Sequence, residues 1–197
     1  MRSTKIRARP FSSVAGAAAL ALLAACDAAD APAPLAVPGR TAPSAGCLPA
    51  VWATQPQRDE AFDRANDAVE GGTVSCATAS SPAQFRDAVA ALKRAAATGD
   101  RAAMLAEIGF PLLYIDAAGT SHTLDSTAID ARFDEIFDPA TRALIERIEL
   151  PQMTVVPGQG GFFALGALWL VVPAPGARPR LLTVNHQALA EAAAAES

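Results

Sequence analysis

His122 and His186 are the only histidines in a chain of 197 residues, and they bound the acid–base chemistry it can carry near neutral pH. In the run 181–188, strand alternation puts Leu182, Val184 and His186 on one face and Leu181, Thr183, Asn185 and Gln187 on the other. His186 therefore starts on a face read as buried. A hydrogen-bonded histidine at the rim of the core is preferred there to one lining a cavity. Ser121, His122 and Asp125 supply the residue types of a nucleophilic triad. Neighbours on a strand point to opposite faces, so Ser121 is badly placed to donate to His122, and no nucleophile elbow surrounds it. Asp116 ends an apolar stretch at a turn, which favours a turn or capping carboxylate over a general base. Asp116, His122 and His186 are the candidate catalytic positions, and none matches a motif that would assign it a role. Gly158, Gly160 and Gly161 lack the Lys-Ser/Thr of a phosphate loop and read as a hairpin turn. Trp169 reads as core packing in preference to a ligand platform.

The N-terminal region has a different character. Residues 1–10 carry Arg2, Lys5, Arg7 and Arg9 with no acid, and residues 11–25 are small and apolar. A basic region, a short apolar region and small residues follow one another as in a secretory signal. The apolar part, about 15 residues, is short for a membrane span, which needs about 20. Leu23-Ala24-Ala25-Cys26 resembles the lipobox of bacterial lipoproteins, in which cleavage leaves a lipidated cysteine as the first residue. The resemblance covers residues 1–26. It implies a signal peptide over 1–25, lipidation (palmitate among the acyl chains) at Cys26, and a membrane-anchored protein of the cell envelope facing the periplasm. Two or three acyl chains suffice for stable anchoring. Asp27 directly after the cysteine leaves inner and outer membrane both open. With Cys26 so assigned, Cys47 and Cys76 remain as an even pair in an exported chain, where an oxidising compartment favours a disulfide. Two cysteines without clustered histidine make a poor zinc site, and a catalytic thiol would lack a histidine nearby.

Composition agrees with one globular domain plus a removable or unordered part: 51% of residues are hydrophobic but only 6% aromatic, and alanine inflates the first figure. Beyond residue 25 the chain has 20 acidic and 12 basic side chains without a Lys/Arg cluster, which argues against a nucleic-acid partner. Residues 26–46, rich in Ala and Pro, read as a lipidated tether. Residues 47–80 read as a disulfide-linked extension with one helix over 55–72, followed by an extended piece at 73–80. Ser81 caps a helix with Pro82 at its first position and Gln84 completing a capping box; Gly99 ends it and Asp100 caps the next. Strands are expected at 110–116 and 120–124, joined by Ala117-Ala118-Gly119. Asp125 or Ser126 caps a helix that breaks or kinks at Asp138-Pro139 and resumes to Ile148. Strands follow at 149–157, at 162–172 as one long apolar strand, and at 181–188, then a frayed tail over 191–197.

The expected fold class is α+β, a curved antiparallel sheet packed on helices. The order α-α-β-β-α-β-β-β, with "GFPLLYID", "FDEIFDP" and "GALWLVV…LLTVNH", resembles the NTF2-like (cystatin-like cone) fold over residues 81–190. The long strand carrying Phe163, Leu165 and Trp169 should be central, with Phe133, Phe137 and Trp169 buried together. Enzymes of that fold use a cavity Asp or His, which makes an isomerase or lyase the alternative function. The first expectation is a non-enzymatic envelope lipoprotein binding a small ligand or another envelope protein, without a cofactor.

Overall fold

The structure, a computed structural model, describes residues 46–195. The segment 1–25 expected to be a signal peptide, the expected lipidation site Cys26 and the expected tether through residue 45 lie outside the described residues.

Three short helices and a ribbon, where one helix was expected, make up the first part. Helix α1 spans Cys47–Trp52 and α2 spans Glu60–Asn66. A two-stranded antiparallel ribbon, β1 (Ala68–Val69) with β2 (Gly72–Thr73), leads into α3, Val74–Thr78. Helix α2 begins later than periodicity suggests because Asp59 is its cap, accepting from Phe62 N at 3.1 Å. The stretch expected to be extended is helical for a reason that lies eight residues upstream. Asp67 accepts from Ser75 N (2.8 Å) and Ser75 Oγ (2.7 Å), and its carbonyl accepts from Val74 N at 2.8 Å. These bonds satisfy the orphan donors at the start of α3 from outside the helix. A disulfide joins Cys47 to Cys76 with their Cα atoms 5.2 Å apart, inside the range such a bridge requires. It ties α1 to α3.

Helix α4, Pro82–Thr98, starts on Ser81, whose side chain accepts from Gln84 N, and stops at Gly99, where φ is +65°. Its buried stripe is Phe85, Ala88, Val89, Leu92, Ala95 and Ala96. Asp100 caps α5, Arg101–Ala106. Strands β3 (Ile108–Ile115) and β4 (Ser121–Leu124) form the expected hairpin. The next helix is divided into α6 (Ser126–Ala131), α7 (Phe133–Ile136) and α8 (Pro139–Arg147), the last break falling at Asp138-Pro139. Strands β5 (Thr154–Val156), β6 (Gly160–Phe163), β7 (Leu168–Val171) and β8 (Arg180–Asn185) precede α9, His186–Ala195.

The architecture is α+β: a six-stranded sheet of order β4-β3-β8-β7-β6-β5 packed against helices. The sheet is mixed, which corrects the antiparallel expectation, because β3 and β8 pair in parallel. The second correction concerns residues 162–172, which form a hairpin and not one long strand. Ala164, Leu165 and Gly166 all have positive φ (48°, 54° and 91°) and reverse the chain between β6 and β7. Gly166 inside an apolar run is the only sequence mark of that turn. Phe162 pairs with Trp169 and Phe163 with Leu168. Phe163, Leu168 and Leu170 thereby face the helices, whereas Phe162 and Trp169 face away and Leu165 is 64% exposed. Trp169 is consequently not buried with Phe133 and Phe137, although those two rings do pack together, 5.0 Å apart, in the core. A register shift between Trp169 and Leu170 leaves Leu182 without a ladder partner, so Leu181 and Val184 face inward in place of the expected Leu182 and Val184. The last strand ends at Asn185, and His186 opens α9.

Candidate functional site

Leu112 and Tyr114 alternate toward the helices along β3, and Tyr114 is 1% exposed although it carries a hydroxyl. A buried phenol needs a partner. Its partner is His186, whose Nδ1 lies 3.3 Å from the Tyr114 hydroxyl. The other ring nitrogen, Nε2, lies 3.0 Å from the Ile136 carbonyl and 3.0 Å from Thr141 Oγ1. A carbonyl can only accept, so the network assigns the proton to Nε2 and leaves Nδ1 to accept from Tyr114. The phenol is thus a donor held neutral, and its pKa is pushed up to about 12, first by burial and then by the charge of Glu135.

Beyond Tyr114 the chain turns at once. Asp116 N donates to the Thr120 carbonyl, and Gly119, at φ +82°, completes the turn. Asp116 Oδ1 accepts from Ala118 N and Thr120 N, both at 2.9 Å. Its Oδ2 accepts from His122 Nε2 at 3.1 Å. His122 is the register partner of Tyr114 on β4, and the two rings stack 5.7 Å apart. The imidazole beside it, followed by the Thr120 amide, holds the Asp116 carboxyl below the usual carboxylate range. An ionised Asp116 accepts from a proton-bearing Nε2 of His122, and that bond together with the stacking on Tyr114 orients the imidazole ring.

Arg132 lies over the Tyr114 ring, its Cζ 5.2 Å from the centroid, and grips Glu135 with two bonds of 2.9 and 2.6 Å. That pairing holds the Glu135 carboxyl below its ordinary value. The three sequence candidates Asp116, His122 and His186 therefore meet around one tyrosine, with Arg132, Glu135 and Thr141 added by the fold. Tyr114 had a legible signal, being the only tyrosine of the chain and two residues before Asp116. Arg132, Glu135 and Thr141 had none, since they reach the site only through the packing of α7 and α8.

Ser121 and Asp125 are elsewhere. Ser121 is exposed, and Asp125 accepts from Ala128 N at 2.8 Å as the cap of α6. Gly158 sits in the hairpin between β5 and β6. Among the described residues no group of three His, Cys, Asp or Glu side chains is arranged to hold a metal ion, and no helix is long and apolar enough to cross a membrane. The space between sheet and helices is filled by Phe85, Leu92, Leu112, Phe137, Ile145 and Phe163, all fully buried. Comparison of the chain with family models, with curated proteins and with solved structures found no match.

Proposed function

We propose that this chain is a lipid-anchored protein of the bacterial cell envelope whose α+β domain has the NTF2-like arrangement and serves as a binding module. The disulfide between Cys47 and Cys76 carries the compartment part of this reading, since such bridges persist in oxidising compartments. The basic segment, the apolar segment and Leu23-Ala24-Ala25-Cys26 point the same way. Helices packed against a six-stranded mixed sheet, in which the inner strands β3 and β8 pair in parallel and the neighbouring strands pair antiparallel, support the NTF2-like reading. Binding is favoured over catalysis because the interior is filled and the Tyr114 network is satisfied within itself. A fold of this kind hosts many activities, so the site must decide. One observation keeps the isomerase or lyase reading in second place: Asp116 orients the partly exposed His122 ring through Nε2 at 3.1 Å, as a carboxylate orients a catalytic imidazole.

The test is expression in a bacterium fed labelled palmitate, with membrane fractionation and recovery of whatever stays bound to the purified protein. Labelled, membrane-bound protein whose mature chain starts at Cys26, with Cys26→Ser unlabelled, is the expected result. An unmodified mature start at another residue would sink the anchoring reading.

A further inference from the structure

Helix α3 buries four of its five residues, Val74, Ser75, Ala77 and Thr78, and exposes the fifth, Cys76. Cysteine is ordinarily among the most buried residue types. Its partner Cys47 is half-buried at the start of α1. Beside the bridge a cleft of about 260 Å³ opens, lined by Cys47 and Val51 of α1, Cys76 of α3, and Pro175 and Gly176 of the loop before β8. A bridge exposed in this way is open to attack by thiols while the protein stays folded.

The remaining hold on α1 is thin. The three side chains it buries, Leu48, Val51 and Trp52, do not belong to the core built on the sheet. Trp52 Nε1 donates to Asp63, the Arg64 guanidinium lies 4.7 Å from the centre of the same ring, and Thr54 packs against Gly176. Just beyond, Gln55 is 8% exposed, and neither its amide nitrogen nor its amide oxygen has a hydrogen-bond partner among the described residues. Burying an amide without partners opposes the docked state, and water supplies both bonds once the segment lifts. The covalent link therefore holds down a segment whose own contacts are partly set against docking.

We propose that Cys47–Cys76 is a redox clasp: a protein dithiol opens it in the folded state, and α1 with the residues through 58 then leaves the domain. The attacking thiolate bonds to Sγ of Cys76, the exposed sulfur. The bond to Cys47 breaks, and its electron pair leaves on Cys47 as a thiolate that takes up a proton. The second thiol of the dithiol attacks the mixed disulfide, so the partner ends as a disulfide and Cys76 as a free thiol. Two electrons pass from dithiol to bridge. Release stops at residue 59, because Asp59 caps α2 and accepts from Arg86 of α4 at 3.0 Å. The freed stretch 47–58 has twelve residues and reaches about 40 Å when extended. In one consequence, which rests on the anchored reading above, opening lengthens the link between membrane and domain by that reach.

Cys26→Ser leaves Cys47 and Cys76 as the only cysteines, and Trp169→Phe leaves Trp52 as the only tryptophan. The full chain with both changes, purified without reductant, is treated with rising concentrations of dithiothreitol in native buffer. Thiols are trapped with iodoacetamide for mass spectrometry. Opening should be first order in dithiothreitol, and the emission of Trp52, 4% exposed at the outset, should shift to that of a solvated indole. Amide exchange should speed up in residues 47–58 and stay slow in β3 and β8. With glutathione in place of the dithiol, the first adduct should sit on Cys76 with Cys47 alkylated. The proposal is overturned if the bridge opens at a rate independent of thiol concentration, which means opening only on unfolding, or if glutathione adds first to Cys47. It is equally overturned if the bridge opens and Trp52 emission does not move, or if β3 and β8 lose protection together with α1, which makes the bridge a staple of the whole fold. Since Cys26 is replaced throughout, none of these outcomes bears on the anchor, which the palmitate labelling tests separately.

Discussion

Trp52 Nε1 donates to Asp63 Oδ2 at 2.7 Å, and the same carboxylate accepts from Ala83 N through Oδ1, also at 2.7 Å. Asp63 is fully buried, so one acid fastens α1 and α2 to the start of α4. Removing it leaves an indole N–H and a helix N-terminal amide without partners inside the protein. Asp63→Ala should destabilise the fold by about 2–4 kcal/mol. Asp63→Asn should cost less, since it keeps one acceptor but turns a donor toward another donor. Urea melts of the full chain separate the two, and equal stability of all three proteins would show that the carboxylate ties nothing.

The bridge between Cys47 and Cys76 closes a loop with a sequence separation of 29 residues. On the chain-entropy account Cys76→Ser should lower stability by about 3–4 kcal/mol. Denaturant melts of the parent with and without a thiol reductant should show a loss of the same size. A reductant without effect on the melting midpoint would mean that the extension folds unaided.

Phe133 and Trp169 provide a contrast within one experiment. Phe133 is 5% exposed in the core against Phe137, with the Arg101 guanidinium 4.6 Å from its centroid. Phe133→Ala should cost about 3–5 kcal/mol. Trp169→Ala should cost less than half as much, because the indole faces away from the helices. Guanidinium melts that ranked the two in the opposite order would contradict the inward and outward assignment of β6 and β7.

Tyr114 makes the alkaline limit of stability readable. Its folded pKa, about 12, lies above the value near 10 expected of an unfolded chain. Between those values the unfolded state binds fewer protons than the folded one, so stability falls as pH rises. The contribution is fully present below pH about 10 and is lost on the way to about 12. Since the chain has one tyrosine, phenolate absorbance follows this group alone. A phenol titrating at the unfolded value in the folded protein would mean that Tyr114 is solvated and that the His186 network is absent.

Elements whose signals are local could be read in the residues. Ser81-Pro82 and Gly99 bracket α4, Asp100 and Asp125 cap the helices that follow, and Asp138-Pro139 breaks the third segment. Elements fixed by distant partners could not. Helix α3 depends on Asp67, and the reversal at Ala164–Gly166 looks like the middle of a strand because every residue in it except the glycine is apolar. The parallel pairing of β3 with β8 leaves no mark in either strand. For the site, residues 116 and 122 were visible as polar types beside an apolar strand. The contacts that bring His186 to Tyr114 depend on where α9 begins, one residue after the end of β8, and alternation had extended that strand through His186.

The parallel pair also governs when the domain can become a domain. Residues 108–115 wait for residues 180–185, some seventy positions further along, before the middle of the sheet exists. Such distant pairing makes closure a late, slow event compared with the formation of local hairpins and helices. Until the C-terminal strand arrives, β3–β4 and β5–β6–β7 are two separate pieces of sheet, each with an unpaired inner edge. A chain cut short before residue 180 would keep those edges open, and open edges invite pairing with other chains. The strand next to the C-terminal helix is therefore the one whose loss turns a folding chain into an aggregating one.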